Sequence, residues 1–140
     1  VKKSNLFIGS ILLFLFLVVA VAPTQAASAT IVLTNPPPNG VLELAVGESY
    51  TFEVEVTSDE EFIWAMALRD VEFPGRGIYF NDHDIVHHDT SATLYLTVTG
   101  KNPTDDLPNG MNQAAVVVGV RYQGGVMVFE RFDFGVAVTP

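Results

Sequence analysis

All three histidines of the chain fall between positions 83 and 88, interleaved with aspartates in the run Asn81-Asp82-His83-Asp84-Ile85-Val86-His87-His88-Asp89. Neutral imidazoles and carboxylates together suit Zn²⁺, Cu²⁺ or Ni²⁺. Asp82, His83, Asp84, His87, His88 and Asp89 are therefore the candidate metal ligands. A turn of helix would carry His83 and His87 to one side. The spacing matches no specific metal motif, and the competing reading is a solvated polar loop between strands with Ile85 and Val86 tucked beneath it.

Two further acidic groups, Ser58-Asp59-Glu60-Glu61 and Thr104-Asp105-Asp106, offer oxygen ligands of the kind Ca²⁺ takes from interstrand loops. Neither matches an EF-hand or a glycine-rich calcium repeat, and solvent-facing charge accounts for both. Glu130 interrupts an apolar row, Val126, Val128, Phe132, Phe134 and Val136. A buried unpaired carboxylate is costly, so a bulge, a strand end in water, or an ion pair with Arg121 or Arg131 is expected there. A catalytic acid is the alternative. Tyr79, Tyr95 and Phe129 are candidates for outward-facing aromatics, which bind sugars or partner chains when they adjoin. The sequence holds no Gly-x-Ser-x-Gly elbow, no phosphate-cradling glycine loop and no His-Glu-x-x-His pair. The chain is expected not to be an enzyme, and to need no cofactor beyond a divalent metal at 82–89.

The elements that must position these residues begin after an apolar leader. Lys2 and Lys3 precede the apolar run Leu6 to Ala22, and Pro23-Thr24-Gln25-Ala26-Ala27 supplies small residues, the pattern of a secretory signal peptide. Cleavage is expected after Ala26, leaving 27–140 as one domain; an uncleaved anchor helix is the alternative. Membrane contact is expected only through that leader. With Val1 read as a start codon, the expectation is a bacterial protein, secreted or at the cell surface. The 140 residues include no cysteine, so burial alone must hold an exported fold. The chain carries a formal net charge of −9, which disfavours phosphate backbones and nucleic-acid partners.

Past the leader the dominant pattern is alternation with period two, broken by turn residues. Tyr50, Phe52, Val54 and Val56 fall on one face, and Thr51, Glu53, Glu55 and Thr57 on the other. Strands are expected over 30–34, 41–45, 49–57, 62–68, 71–73, 78–80, 91–99, 114–122 and 126–138. Pro36-Pro37-Pro38 cannot donate ladder bonds and must take the chain out of its sheet. Pro74-Gly75 suits the centre of a type II turn, Gln123-Gly124-Gly125 a hairpin, and 100–110 a crossing between sheets. In 62–68 the large residues Phe62, Trp64, Met66 and Leu68 are expected in the core, with Ile63, Ala65 and Ala67 outside.

The run Leu44-Ala45-Val46-Gly47-Glu48-Ser49-Tyr50-Thr51-Phe52-Glu53-Val54, Trp64 in a central strand, and the terminal hairpin resemble the cysteine-free bacterial immunoglobulin-like and fibronectin type III-like domains. The resemblance is one of architecture. It implies an all-β chain: an immunoglobulin-like antiparallel β-sandwich of seven or eight strands, preceded by a signal-peptide helix. Packing around Trp64 is expected to replace the missing disulfide, and Tyr122 stands too late in its strand for a tyrosine corner. The function expected is a non-enzymatic, monomeric binding module for another exported protein or a cell-surface glycan. The alternatives are metal handling through 82–89 and, more faintly, a secreted protease inhibitor, although the Asp59-Glu60-Glu61 loop lacks the segment of the chagasin-type inhibitors.

Overall fold

Alternation over Tyr50–Val56 becomes one half of a strand whose inward side chains Phe52, Val54 and Val56 are fully buried. The computed structural model describes residues 27–80 and 84–140, so the leader and Asn81, Asp82 and His83 lie outside the described residues. Among those described, the strands are β1 (Ala29–Leu33), β2 (Val41–Ala45), β3 (Ser49–Val71), β4 (Gly77–Phe80), β5 (Asp84–Asn102), β6 (Asn112–Arg121) and β7 (Met127–Thr139).

β3 and β5 are long because each serves two sheets. In the first sheet, Ser49–Ser58 of β3 lies between β1 and Ser91–Thr99 of β5, and β4 pairs with the far end of β5. In the second, Trp64–Val71 of β3 is paired with β6, and its Trp64–Ala67 stretch also pairs with Asp84–His87 of β5. β6 continues to β7 and β7 to β2, the last pair being parallel. This is an immunoglobulin-like β-sandwich, all-β throughout the described residues. The proline tract does what its missing donors require: β1 belongs to the first sheet, β2 to the second, and Pro36-Pro37-Pro38 carries the chain between them. Where β1 stops, the Asn35 amide replaces it, accepting from the Glu53 N–H (2.8 Å) and donating to the Thr51 carbonyl (2.8 Å).

The layer between the sheets joins Phe52, Val54, Leu94, Leu96 and Val98 to Val116, Val118, Val120 and Phe134. The Phe52 and Phe134 rings meet with centroids 4.8 Å apart. Burying each such side chain stabilises the fold by about 1.5–3 kcal/mol. Among the described residues, the buried polar side chains of Asn112 and Thr104 are fully engaged. Asn112 donates to the Phe73 and Arg76 carbonyls (both 2.9 Å) and accepts from Phe73 N–H (3.1 Å), fastening the Pro74-Gly75 turn to β6. Thr104 donates to the Gly110 carbonyl (2.7 Å) and accepts from Val138 N–H (2.9 Å), fastening the 100–110 crossing to β7. The turn is of type II as expected, with Gly75 at φ 79° and an Arg76 N–H to Phe73 carbonyl bond of 3.2 Å. β3 ends at Val71, so 71–73 is no separate strand.

Two expectations are overturned at the corner where β3 and β5 change sheets. Four residues of β3, Ser58–Glu61, stand against Thr90 alone on β5, and His88, at φ 49°, faces Ile63 in the left-handed region. These irregularities reverse the phase of the rest of the strand. Phe62 is buried, but beyond it Ala65 and Ala67 point into the core, while Trp64 and Met66 are only half-buried and Leu68 is exposed. The bulky row, Trp64 included, therefore lies on the outside of the second sheet. The polar-loop reading of 84–89 also fails, because Asp84–Asp89 is strand, hydrogen-bonded against β3.

The corner is tied without a covalent link and without Trp64. Tyr122, buried at the end of β6, shares a 2.6 Å hydrogen bond with the Ser58 hydroxyl. The Asp59 carboxylate accepts from Ser28 N–H (2.8 Å), and Asp84 accepts from Tyr95 N–H (2.9 Å), joining the two halves of β5.

Candidate interaction face

The reversed phase gives the second sheet an apolar outer surface, and register fixes its rows. Trp64 has His87 beside it on β5 and Arg121 on β6. Met66 has Ile85 and Gly119, and Leu68 has Val117. On β7, Met127 stands beside Arg121, Phe129 beside Gly119 and Arg131 beside Val117. Phe129 is 55% exposed and Leu68 39%, both large for apolar side chains. Gly119 is the centre of the patch. A Cβ there would lie 3.2 Å from the Phe129 ring and 3.4 Å from that of Trp64, so both rings lean over the glycine from either side. They cover backbone that would otherwise be bare, as aromatics do beside a strand glycine.

Polar groups bound the patch at both ends. Past Leu68, Asp70 and Asp133 flank Ala115, and both hold Arg131: Nη1 at 2.7 Å from Asp70 and Nε at 2.8 Å from Asp133. These hydrogen bonds, Asp70's the larger, raise the Arg131 pKa above its ordinary value, so it is charged at any working pH. At the other end Arg121 is exposed and has no ion-pair partner among the described residues. With strands about 4.8 Å apart, these described positions span roughly 300–400 Å² in plan, His87, Arg121 and Arg131 included. The largest apolar patch on a monomer is commonly of this order, and it is often a functional one.

The edge beside this face is guarded. β2 covers only Gly135–Thr139 of β7, and no described strand pairs with the outer edge of Met127–Asp133. Glu130 lies in that stretch, in phase with the inward residues and exposed, and the register runs through it without a bulge. None of the three solutions expected for this carboxylate is the one found: there is no bulge, Glu130 stands inside β7 and not at its end, and Arg131 pairs with Asp70 and Asp133; it is exposed on a strand edge that no described strand covers. An inward-phase charge on an edge strand opposes the addition of another strand.

No family model matches this chain, and no curated protein does. Among solved structures, it is similar to a chain from a complex of zinc 2-glycoprotein and prolactin inducible protein from human seminal plasma, with 14% identity over 84% of this chain and 98% of that one, TM-score 0.48. A chain from a study of T cell activation by the bacterial superantigen toxic shock syndrome toxin-1 shares 14% identity over 80% and 100%, TM-score 0.43. A chain from the BIgI domain of beta protein from S. agalactiae bound to CEACAM1 shares 15% over 82% and 100%, TM-score 0.37.

Four of the six candidate ligands singled out from sequence lie among the described residues. Asp82 and His83 lie outside the described residues. Asp84 is engaged with Tyr95, and Asp89 accepts from Thr90 N–H (2.7 Å) within the corner. The exposed rings of His87 and His88 are 6.4 Å apart, and His88 Nδ1 sits 3.5 Å from Glu61. Because 84–89 is extended, no helical turn gathers them, and the described residues contain no cluster of three metal-binding groups. Of the acidic groups weighed for Ca²⁺, Asp59 holds Ser28, and Asp106 pairs with Arg76. Tyr79, Tyr95 and Phe129 are all exposed, as expected, but they do not form one surface: the two tyrosines face out from the first sheet and Phe129 from the second. Sequence reasoning missed Trp64, Met66 and Leu68 as surface residues. The signal was there in their unbroken apolarity on both faces of one strand.

Proposed function

We propose that this chain is a non-enzymatic binding module that works outside the membrane, carried there by its leader, and that it binds through the outer face of the second sheet. The observation that carries the reading is the placement of Trp64, Met66, Leu68 and Phe129 on the outer face of the second sheet, Leu68 and Phe129 exposed, Trp64 and Met66 half-buried, with the Trp64 and Phe129 rings over Gly119. Binding interfaces have this anatomy, with aromatic and methionine side chains at the centre and charges at the rim. The domain bounds expected from sequence, 27–140 with 1–26 as the cleaved leader, belong to the same proposal. Among the described residues of the Asp/His run, Asp84, His87, His88 and Asp89 form no comparable assembly.

The test uses immobilised wild-type chain and the Phe129→Glu variant, each exposed to culture supernatant and cell-wall fractions of the source cells. Wild type is expected to retain a component that the variant does not. Equal retention by both would sink the reading.

A further inference from the structure

We propose that the partner of this face is a second copy of the same chain, stacked second sheet on second sheet about a twofold axis running across the strands. The inference rests on the interaction-face reading and names its occupant.

The face is complementary to itself. Its rows run from Trp64 and Arg121, through Met66 and Gly119, then Leu68 and Val117, to Asp70 and Ala115. A twofold axis across the strands reverses that order in the facing copy. Met66 then meets Leu68, and Gly119 meets Val117, so the apolar centres of the two rows cover one another. Arg121, unpartnered in one chain, lands over Ala115 of the other, between the two carboxylates Asp70 and Asp133 that share a single Arg131. The Phe129 ring meets the Arg131 guanidinium, an attractive cation–π arrangement. In the same end rows Trp64 lies over Asp70 and Met127 over Asp133, so Arg121 is what matches the acids. The acids of the corner, Asp59, Glu60 and Glu61, lie beyond the Trp64 row and outside this overlap.

Size sets the strength. Two such faces bury roughly 600–800 Å² in all, below the standard interface and in the range of transient contacts. The association is therefore weak and concentration-dependent. Edge-to-edge pairing through β7 would extend the sheet instead, but it places Glu130 against the corresponding region of another β7, which its charge opposes.

Sedimentation equilibrium of the purified chain from ~10 μM to ~1 mM tests this, across the span in which such contacts form. The weight-average mass is expected to climb from monomer toward twice that value. Phe129→Glu and Leu68→Lys should each abolish the climb while leaving the thermal transition in place; two variants guard against one misfolding. Arg121→Glu and Asp133→Arg should each weaken it several-fold, and an equal mixture of those two should restore it, because each supplies the charge that the other now lacks. A mass independent of concentration, a climb that survives Phe129→Glu, or a mixture no better than its parts overturns the inference. If the mass stays constant but Phe129→Glu still loses a component retained from the supernatant, self-pairing fails and the binding face stands. If neither assay distinguishes Phe129→Glu from wild type, both fail.

Discussion

From their first-sheet halves, β3 and β5 present Thr51, Glu53, Tyr95 and Thr97 to solvent; from their second-sheet halves they present Trp64, Met66, Leu68 and Ile85. On the first face, hydroxyls pair across the strands, Thr51 with Thr97 at 2.9 Å and Ser49 with Thr99 at 2.8 Å, and carboxylates stand in water. On the second, apolar side chains cover a glycine. The same two strands thus carry both surfaces, and folding demands only the first kind. An alternating strand buries its apolar face and wets the other. A strand apolar on both sides adds nothing further to the core by its outer row, and the outer row of the second sheet is the one assigned above to the proposed contact.

This contrast can be broken most severely from the inside. Phe52→Ala removes a fully buried ring packed on Phe134 and should cost about 3–5 kcal/mol, a large share of a small domain's stability, read from urea denaturation. A loss no larger than that of a surface substitution would mean that the two sheets do not share this core. Gly100→Ala should cost about 1–3 kcal/mol, because its new Cβ would stand 2.4 Å from the Ala45 carbonyl oxygen, where backbone must move. Asn112→Ala leaves Phe73 N–H and two carbonyls without their partner and should lower stability by about 1–3 kcal/mol. Tyr122→Phe deletes only the bond to Ser58 and should cost about 0.5–1.5 kcal/mol. The outer row comes last: Leu68→Lys should shift stability by less than about 0.5 kcal/mol while removing association. A core-sized loss at Leu68 would return the bulky row to the interior and erase the contrast.

Legibility from sequence divides along the same line. Where a strand alternates, as over 49–57 and 91–99, period two fixed the inward residues, and each proved buried or half-buried. Proline and glycine chemistry placed the first crossover and the Pro74-Gly75 turn, since a missing donor and a positive φ are properties of single residues. In 62–68 both faces are apolar, so periodicity carries no sign, and choosing the larger side chains for the core gave the wrong face. The sign is decided at the corner, by four residues against one and a left-handed His88, features of pairing between distant segments. The same corner turned an expected polar loop at 84–89 into strand. Its tie, Tyr122 to Ser58, spans 64 positions and has no local signature.

Trp64 is the only tryptophan, so its fluorescence reports on the disputed face alone. The decisive measurement is acrylamide quenching of the folded chain at low micromolar concentration, where copies are apart. An indole lying over Gly119 on the outer surface should be quenched efficiently and emit toward the red. Blue-shifted emission that resists the quencher would put Trp64 back between the sheets and leave the second sheet without the surface on which binding depends.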